Sequence, residues 1–512
     1  MPKTSESRVL AVAIIGTFMV ILDQTIMNVA LPHIMAVFNE TADRAQLVVS
    51  AYLMATAIST PAAAFLAERF GMKKVYLFSQ AGFLIGSILC GLSWDIGSLI
   101  TFRVIQGLAG GLLNPLAMTF LFMNVPPEDR GTAMAIFGIP MMLAPAIGPT
   151  LGGYIVDYWS WRMVFYVNVP VVLIAIALGL AWIEETPTSD TGFDYKGFFL
   201  AATGFSAILY AFSYAPTWHW DDWRIVTLLT VGCLCILAWI LVELREKRPL
   251  LDLHMFKNGG FALGIGLTFV TTIGLYSLIF LLPLFLQNLR GFSALQSGLM
   301  VLPSVIGSMM SMPLAGRLYD KLGPRIPTIL GLVITGISSL WLQTIDVTMP
   351  DDVLRWILFI RGVGIGFAMM PVMTYTLSAV AQKMTAQASA LINVSRTVFA
   401  SLGIAVFATM LDTFQKTNLS MMVQTITPDS VIALHMLSQL QVYFMQAGLT
   451  LQAAQQAAVN LLYQYVNLRA SVTAFQMDYV IGAAVILIGI IPAMFLPMGR
   501  INKGNGPVIP ME

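Results

Sequence analysis

Residues 64–73, AFLAERFGMK, and residues 316–325, GRLYDKLGPR, share one pattern that decides how the chain is organised. At equal spacing, each stretch has a small residue, an acid, a base, a glycine and a second base. A glycine at this point permits a tight turn between two helices. The alternative interpretation is the ordinary enrichment of cytoplasmic loops in Lys and Arg. Because the whole pattern recurs far along the chain, it indicates two related halves with a substrate path between them.

The charged and glycine positions of both motifs are candidates for a latch that bridges neighbouring helix ends. They are Glu68, Arg69, Gly71 and Lys73 in the first motif and Asp320, Lys321, Gly323 and Arg325 in the second.

Long apolar segments flank both motifs and recur along the whole chain. Hydrophobic residues make up 57% of the 512 positions and charged residues only 10%, which excludes a water-soluble domain. We predict fourteen membrane spans, each long enough to cross about 30 Å of hydrocarbon as a helix. They lie near residues 9–33, 45–66, 75–94, 97–122, 132–156, 163–183, 197–214, 225–244, 260–287, 294–315, 326–345, 353–376, 389–411 and 478–498.

The loops between these spans carry an uneven distribution of Lys and Arg. With a cytoplasmic N-terminus, 17 basic residues fall on the inner side and 7 on the outer side. The other three, Arg103, Arg361 and Arg396, lie within spans. Cytoplasmic loops are the ones enriched in Lys and Arg, so we predict that both termini are cytoplasmic.

A second internal echo supports the division into halves. Arg103 with Gln106 and Gly107 in the fourth span resembles Arg361 with Gly362 in the twelfth, displaced by one helical turn. The predicted organisation is a six-helix half at residues 1–183, an inserted helix pair with its linkers at 184–258, and a second six-helix half at 259–512. The second half includes an external helical hairpin at 412–477, which has Gly448 between two helices.

Several classes of function are disfavoured by composition and motifs. The 27 basic and 26 acidic residues nearly cancel, which gives no support for a nucleic-acid partner. The three cysteines lie in apolar runs, the four histidines are dispersed, and neither an HExxH nor a GxxxxGK[ST] motif is present. We therefore predict no metal site and no catalytic residues, and a membrane-embedded enzyme is disfavoured.

Asp23 is an acid inside the first span, where a buried carboxylate is costly unless it is paired, hydrated or protonated. Counting at about 1.5 Å per residue puts Asp23 and Arg103 in the same half of the membrane, so that they can pair directly or through water. We predict that Asp23 carries a coupled proton and that Arg103 modulates its protonation. The alternative role for Asp23 is a structural hydrogen bond between helices.

Other intramembrane polar groups must also find partners inside the bundle. We predict substrate contacts for Gln24, Asn28, Tyr52, Asn114, Arg361 and Arg396, although either arginine could instead tie helices to backbone carbonyls. The 31 methionines and 11% aromatic residues suit a cavity that accepts varied apolar shapes.

The fifth span is rich in glycine and proline, which in a bundle permit close packing and a change of curvature. The residues assigned to this gate motif are Gly138, Pro145, Gly148, Pro149, Gly152 and Gly153. Simple helix packing is the alternative explanation.

Four of these stretches together resemble the fourteen-span drug:proton antiporters of the major facilitator superfamily, the EmrB/QacA type. They are the loop at 64–74, LDQTIMNVALP at 22–32, Arg103 with Gln106 and Gly107, and GIPMMLAPAIGPTLGG at 138–153. Ala64 and Glu68 stand where the family's loop motif has Gly and Asp. The resemblance covers nearly the whole chain.

The resemblance implies an all-α integral membrane protein with the major facilitator fold. It also implies proton-coupled efflux of hydrophobic or amphipathic compounds across a bacterial inner membrane, driven by the proton gradient without a cofactor. The 138–153 stretch would then keep the closed interface from leaking. The external hairpin resembles that of members working with a periplasmic adaptor and an outer-membrane channel; a lid is the alternative. A proton- or ion-driven importer on the same scaffold is the rival function.

Overall fold

The computed structural model describes residues 4–188, 192, 194–246, 249–425 and 431–499, and this part of the chain is helical without any strand. The helices are α1 (Thr4–Phe38), α2 (Ala42–Ser59), α3 (Ala62–Phe70), α4 (Met72–Gly91), α5 (Ile96–Asn124), α6 (Arg130–Tyr158), α7 (Met163–Tyr166), α8 (Asn168–Trp182), α9 (Tyr195–Trp218), α10 (Trp223–Glu243), α11 (Gly259–Asn288), α12 (Ala294–Leu322), α13 (Arg325–Trp341), α14 (Asp351–Ser378), α15 (Thr385–Thr425), α16 (Val431–Gln446), α17 (Leu451–Ile488) and α18 (Ile490–Ala493). Short 3-10 turns lie at Leu253–Lys257, Leu342–Thr344 and Gln382–Met384.

The number of membrane-crossing helices agrees with the fourteen predicted spans. Within the described residues, twelve segments are each long and apolar enough to cross as one helix, and two more pass only as bent pairs. These pairs are α2 with α3, bent by 52°, and the two parts of α6, bent by 40°. Pro61 precedes α3, and Pro149 falls at the break in α6, where its missing N–H interrupts the backbone hydrogen bonding.

The two ends of the described chain lie at the same face of the bundle. α1 begins at this face, and the Gly499 N–H donates a hydrogen bond of 3.1 Å to the Leu322 carbonyl at the turn between α12 and α13. We call it the terminal face and the opposite one, where α16 lies, the hairpin face.

The helix packing repeats between the first and second parts of the chain. α1 packs on α6 as α11 packs on α15, α2 packs on α5 as α12 packs on α14, and α4 packs on α5 as α13 packs on α14. Separate apolar clusters fill the two parts, around Phe83 and Phe165 in the first and Phe285 and Phe475 in the second. This repetition is the structural counterpart of the repeated sequence motif.

Each repeated motif forms a glycine turn that another segment covers. Gly71 and Gly323 have φ values of +90° and +83°, which favour glycine, as the sequence predicts. Glu185, just after α8, accepts the Lys73 N–H at 3.2 Å and closes over the Gly71 turn. Gly499, after α18, closes over the Gly323 turn in the same way. The turns therefore leave no room for a side chain at either glycine.

The inserted pair α9 and α10 fills the gap between α2 and α15. Near the hairpin face, Leu47 of α2 packs against an aromatic cluster that contains Tyr214 and Trp218. The Trp220 indole N–H donates to the Thr409 hydroxyl of α15 at 2.7 Å. The pair therefore contacts both parts of the molecule.

The predicted hairpin at 412–477 differs from the observed one in its boundaries. α15 continues without a break to Thr425, and α17 begins at Leu451, so much of the segment is the extension of two membrane helices. α16 packs on α17, and Gly448, with φ +93°, separates the two, as predicted. Polar helix-forming residues such as Gln452 and Gln455 let the helix continue past the apolar stretch. Hydropathy therefore marks the end of the apolar, lipid-facing stretch and not the end of the helix.

Candidate functional site

Asp23 and Arg103 form an ion pair in the interior of the first part of the bundle. The Arg103 Nη1 lies 2.5 Å from the Asp23 Oδ2, and neither side chain is exposed. Asp23 lies on α1 and Arg103 on α5, so the pair joins two helices that are distant in sequence. The predicted proximity of the two groups is confirmed.

Amide groups from α5 and α8 donate further hydrogen bonds to Asp23, and a hydroxyl of α4 holds both amides. The Asp23 Oδ1 accepts from the Gln106 Nε2 at 3.0 Å and from the Asn168 Nδ2 at 2.7 Å. Ser87 on α4 accepts from the same two amides, at 2.8 and 3.3 Å. All of these groups are buried, and a buried carboxylate is stable when it is paired and hydrogen-bonded. We call these five side chains the Asp23 network.

Tyr52 connects the Asp23 network to the centre of the molecule. Its ring lies under the Arg103 guanidinium, whose Cζ is 4.1 Å from the ring centroid, which is a cation–π contact. Thr56, one helical turn farther along α2, lines the central cavity, as does Gln24, the residue after Asp23. Tyr52 itself is buried and does not line the cavity.

The central cavity has a volume of about 520 Å³ and lies between the two parts of the chain. Its walls come from α1, α2, α5 and α6 on one side and from α11, α12, α14 and α15 on the other. The lining includes Gln287 at the end of α11 and Ser297 in the first turn of α12, both at the hairpin face. The cavity therefore extends from the middle of the bundle to the hairpin face. Its volume is in the range of about 300–1,000 Å³ that small-molecule sites occupy.

The residues with predicted substrate contacts are divided between the cavity and the interior. Gln24, Asn114 and Arg396 line the cavity. Arg361 does not, because its guanidinium donates to the Ser339 hydroxyl at 2.9 Å and to the Gly274 carbonyl. Arg361 thus joins α14 to α13 and α11. This is the structural role that the sequence analysis gives as the alternative to substrate contact. Asn28 lies in α1, but its side chain is outside the described part of the structure.

Contacts between the two parts of the chain close the terminal face below the cavity. The Asp320 carboxylate accepts the backbone N–H groups of Gly131 and Thr132, at 2.9 and 3.0 Å, and the Thr132 hydroxyl at 2.7 Å. An acid is favourable at this point because the N–H groups at the start of α6 are otherwise unpaired and carry partial positive charge. Higher up, the Ser389 hydroxyl donates to the Pro115 carbonyl at 3.0 Å.

The acid of the first motif makes no matching contact with the described residues. The structure records no hydrogen bond or ion pair from the Glu68 carboxylate to another described residue, and the Lys73 Nζ donates to the Leu180 carbonyl at 2.9 Å, within its own part of the chain. Arg69 lies beside the rings of Phe65 and Phe70. Lys321 is exposed, and Arg325 begins α13. Among the described residues, the acid of the second motif bridges the two parts and the acid of the first does not.

The glycines of the gate motif bring α6 close to α1 and α14. A Cβ at Gly148 would lie 2.7 Å from the Thr25 Cβ, and one at Gly138 would lie 2.7 Å from the Met370 sulfur. The Thr25 hydroxyl also donates to the Ala144 carbonyl at 3.3 Å. At Gly152 and Gly153 the nearest atoms of α1 are farther, at 3.3 and 4.0 Å. Pro145 lines the cavity, while the Pro149 side chain is outside the described part of the structure.

Two buried polar residues were not singled out by the sequence. Asn168 begins α8 within an apolar run, and its place in the Asp23 network depends on tertiary structure. Asp478 on α17 has no exposed surface, and neither of its carboxyl oxygens has a hydrogen-bond partner in the described chain. The sequence does not mark it as buried, because it falls at the edge of the predicted last span, where an acid is expected to face water. A polar side chain inside an apolar run is the one signal that could have found both.

Comparison with known proteins shows one family over most of the chain. The Major Facilitator Superfamily model matches residues 13–404. The MFS-type transporter YhcA of Bacillus subtilis (strain 168) is 32% identical over 96% of this chain and 93% of its own length. The multidrug export protein EmrB of Escherichia coli (strain K12) is 30% identical over 96% of both chains.

A solved structure supports the same fold. The proton:xylose symporter XylE is 14% identical and superposes with a TM-score of 0.59 over 97% of each chain. Two similarly packed parts, a cavity between them and this similarity over the whole length lead to one conclusion. The chain belongs to the major facilitator superfamily, in the EmrB-type group, and is a multi-pass membrane transporter rather than an enzyme.

Proposed function

We propose that this transporter is a drug:proton antiporter that exports hydrophobic or amphipathic compounds by alternating access. The observation that carries the proposal is a buried, ion-paired acid, Asp23, on the same helix as residues that line a cavity of about 520 Å³. The name of the E. coli relative, a multidrug export protein, supports export and a broad range of compounds. The energy source is the proton gradient, and no cofactor is required.

Proton coupling follows from the position of Asp23 on α1. While Asp23 is ionised, it holds Arg103, Gln106 and Asn168 together. A proton on Asp23 cancels its charge and weakens the bond to Arg103, because a charge-assisted hydrogen bond is roughly twice as strong as a neutral one. Gln24 and Thr25, the next residues, face the cavity, so a movement of α1 changes the binding surface.

The terminal face is assigned to the cytoplasm of a bacterial inner membrane, because the loops on that side carry most of the Lys and Arg. The observed conformation is then the outward-facing one, closed on the cytoplasmic side by Asp320 and the N-terminus of α6. Residues 1–183 and 259–512 rock as two bodies, and the inserted pair within 184–258 stays packed against both. Breaking the Asp320 contacts would open the cytoplasmic side.

Transport by everted membrane vesicles tests both the direction and the energy source. We expect a fluorescent amphiphile to accumulate in vesicles that contain the full chain when an inside-acid gradient is imposed, and to leak out when a protonophore is added. A panel of negative, neutral and positive compounds keeps the test independent of cargo charge. No accumulation by everted vesicles, together with gradient-driven uptake by intact cells, would make the protein an importer.

The helical hairpin at the hairpin face is proposed as the docking site of a periplasmic adaptor that leads to an outer-membrane channel. Its support is the length of the projection and its exposed apolar residues, which include Leu434, Tyr443 and Tyr463. Replacing residues 426–446 by a short Gly-Ser linker should abolish copurification of the adaptor and leave vesicle transport intact. Loss of vesicle transport as well would instead indicate a lid over the cavity.

A further inference from the structure

The charge of the cavity is carried by one residue. Among the described residues that line it, Arg396 is the only side chain with a formal charge, and no acid is present. Asp23, the nearest acid in sequence to the α1 lining, is buried behind the wall and neutralised by Arg103. The binding surface therefore carries one uncompensated positive charge.

The Arg396 guanidinium also has unused hydrogen-bonding capacity. The structure records no hydrogen bond or ion pair from it to any described residue, and the Tyr276 side chain lies in the same part of the cavity wall. Arg361, the comparable arginine of the neighbouring helix α14, is occupied by Ser339 and Gly274. An arginine presents five N–H donors in a planar fork that matches a carboxylate or sulfonate. Arg396 is thus in a position to receive an anionic group.

The surroundings of Arg396 combine polar and apolar surface. It lies about 16 Å along α15 from the terminal-face end of that helix, at the floor of the cavity. The polar side chains of Asn114, Asn393 and Thr397 also belong to the lining contributed by these central helix segments. Apolar surface comes from the residues Met141, Met142, Leu275, Ile279, Val301 and Val305. A ligand with a charged head and an apolar body matches this arrangement.

We propose that Arg396 selects amphipathic organic anions, with a carboxylate or sulfonate head and an apolar body, as the preferred cargo. This inference rests on the proposed export function and names its substrate class. Lipophilic cations, a common alternative for a broad exporter, would meet Arg396 with no acid nearby to offset the repulsion.

The charge of the cargo has a consequence for energetics. When one monovalent anion leaves the cell and one proton enters, two positive charges in effect move inward. Export is then driven by an inside-negative membrane potential as well as by the pH gradient. The exchange of a monovalent cation for one proton would be electroneutral. A potassium diffusion potential imposed without a pH gradient should therefore accelerate export of an anion and not of a cation.

The direct test compares the binding of three decyl compounds to the purified full-length chain. Decanoate, decanamide and decyltrimethylammonium share an apolar tail and differ in head-group charge. We expect decanoate to bind tightest, and Arg396→Gln to weaken its binding roughly ten- to hundred-fold, the range for a lost hydrogen bond to a charged group. Binding of decanamide should change little. Arg396→Lys should retain most of the preference for the anion.

Arg361→Gln is the matched control, because it removes an intramembrane arginine of the second half that does not face the cavity. It should lower thermal stability without altering head-group preference. Equal or tighter binding of decyltrimethylammonium by the wild-type protein overturns the proposal, as does unchanged decanoate affinity in a folded Arg396→Gln variant. The wild-type comparison needs no variant to fold. Vesicles that export cations or neutral compounds but not anions overturn this inference alone, whereas no export of any compound overturns the proposed function.

Discussion

Two buried aspartates, Asp23 and Asp478, occupy opposite environments in the same protein. Asp23 accepts bonds from Arg103, Gln106 and Asn168, whereas the Asp478 carboxyl has no partner within the described chain. A buried carboxylate without a partner costs several kcal/mol, so Asp478 is expected to hold its proton in this conformation. The surroundings, not the residue type, distinguish the two acids.

We predict that Asp23→Asn abolishes export driven by a pH gradient. The substitution also leaves Arg103 buried without its counter-charge, which typically destabilises a protein by about 3–5 kcal/mol. The double variant Asp23→Asn/Arg103→Gln separates the two effects, since it removes both charges. Its melting temperature should recover relative to the single variant, while vesicle transport stays absent. Gradient-driven transport by the double variant would show that Asp23 is structural.

For Asp478→Asn we expect the melting temperature to change little, because one neutral, similarly shaped side chain replaces another. Transport by everted vesicles should also persist. Thermal unfolding of the purified protein and the vesicle assay are the two measurements. A folded variant that no longer transports would contradict this expectation and make Asp478 a second proton carrier.

The sequence predicts individual intramembrane charges well and their partners poorly. Asp23 and Arg103 stand out because ionisable groups are rare in apolar segments. Their pairing could be anticipated from depth alone, since both lie near the same level. The places of Asn168 and Ser87 depend on how four helices pack. The difference between Arg361 and Arg396 depends on the direction in which each side chain points, which the sequence does not contain.

At the scale of elements, α6 shows how closely two helices can approach where side chains are missing. The contact of Gly148 with Thr25 brings the backbone of α6 against α1. The bend in α6 lies at the next residue of the chain, Pro149. Under the proposed coupling, a movement of α1 on protonation of Asp23 would be passed to α6, which also contacts α12 and α14.

Gly148→Ala and Gly153→Ala should differ sharply although they add the same methyl group to the same helix. At Gly148 the new Cβ would overlap Thr25, and overpacking of this kind costs typically about 1–3 kcal/mol. At Gly153 the nearest atom is Val29 Cγ1 at 4.0 Å, an ordinary contact, and alanine favours a helix over glycine. Melting temperature and vesicle transport should both fall for the first variant only. Equal effects of the two would rule out the close approach as the cause.

The elements themselves follow closely from hydropathy, because backbone hydrogen bonding in lipid leaves a helix as the available structure for an apolar span. The predicted last span at 478–498 and the loop at 412–477 were less accurate. α17 begins at Leu451 because helix formation does not stop where apolar residues stop. Hydropathy locates the membrane, whereas helix ends depend on capping and on residues such as Gly448.

At the scale of the whole molecule, the acids of the two repeated motifs make unequal contacts at the terminal face. Asp320 caps α6 across the interface. For the Glu68 carboxylate, the structure records no hydrogen bond with a described residue. The repeated sequence motif suggested two equivalent latches. Two equivalent motifs can make different contacts because, in an asymmetric conformation, each motif faces a different surface of the other part of the chain.

We predict that Asp320→Asn increases opening of the terminal face and that Glu68→Gln does not. An asparagine has one acceptor oxygen, so it cannot replace all the bonds to Gly131 and Thr132. The assay is the labelling rate of Ser389→Cys by a bulky hydrophilic maleimide, in a variant lacking the three native cysteines. The loss of about 1 kcal/mol of net hydrogen bonding corresponds to a rise of roughly fivefold. Equal labelling rates in both variants would argue against the asymmetry.

α15 is one unbroken helix, and its length has a mechanical consequence. Its 41 residues run from the terminal face, past Arg396, to Thr425. The end at Thr425 is about 44 Å from Arg396, so a rigid rotation on the order of 15° about the cavity floor would sweep it sideways by about 11 Å. With the rocking motion proposed above, the helix would act as a lever arm that converts a small rearrangement around the cargo into a large displacement of its far end. Coupling between two sites is reciprocal, so a molecule that binds the far end of α15 in one conformation would also change the affinity of the cavity for its cargo.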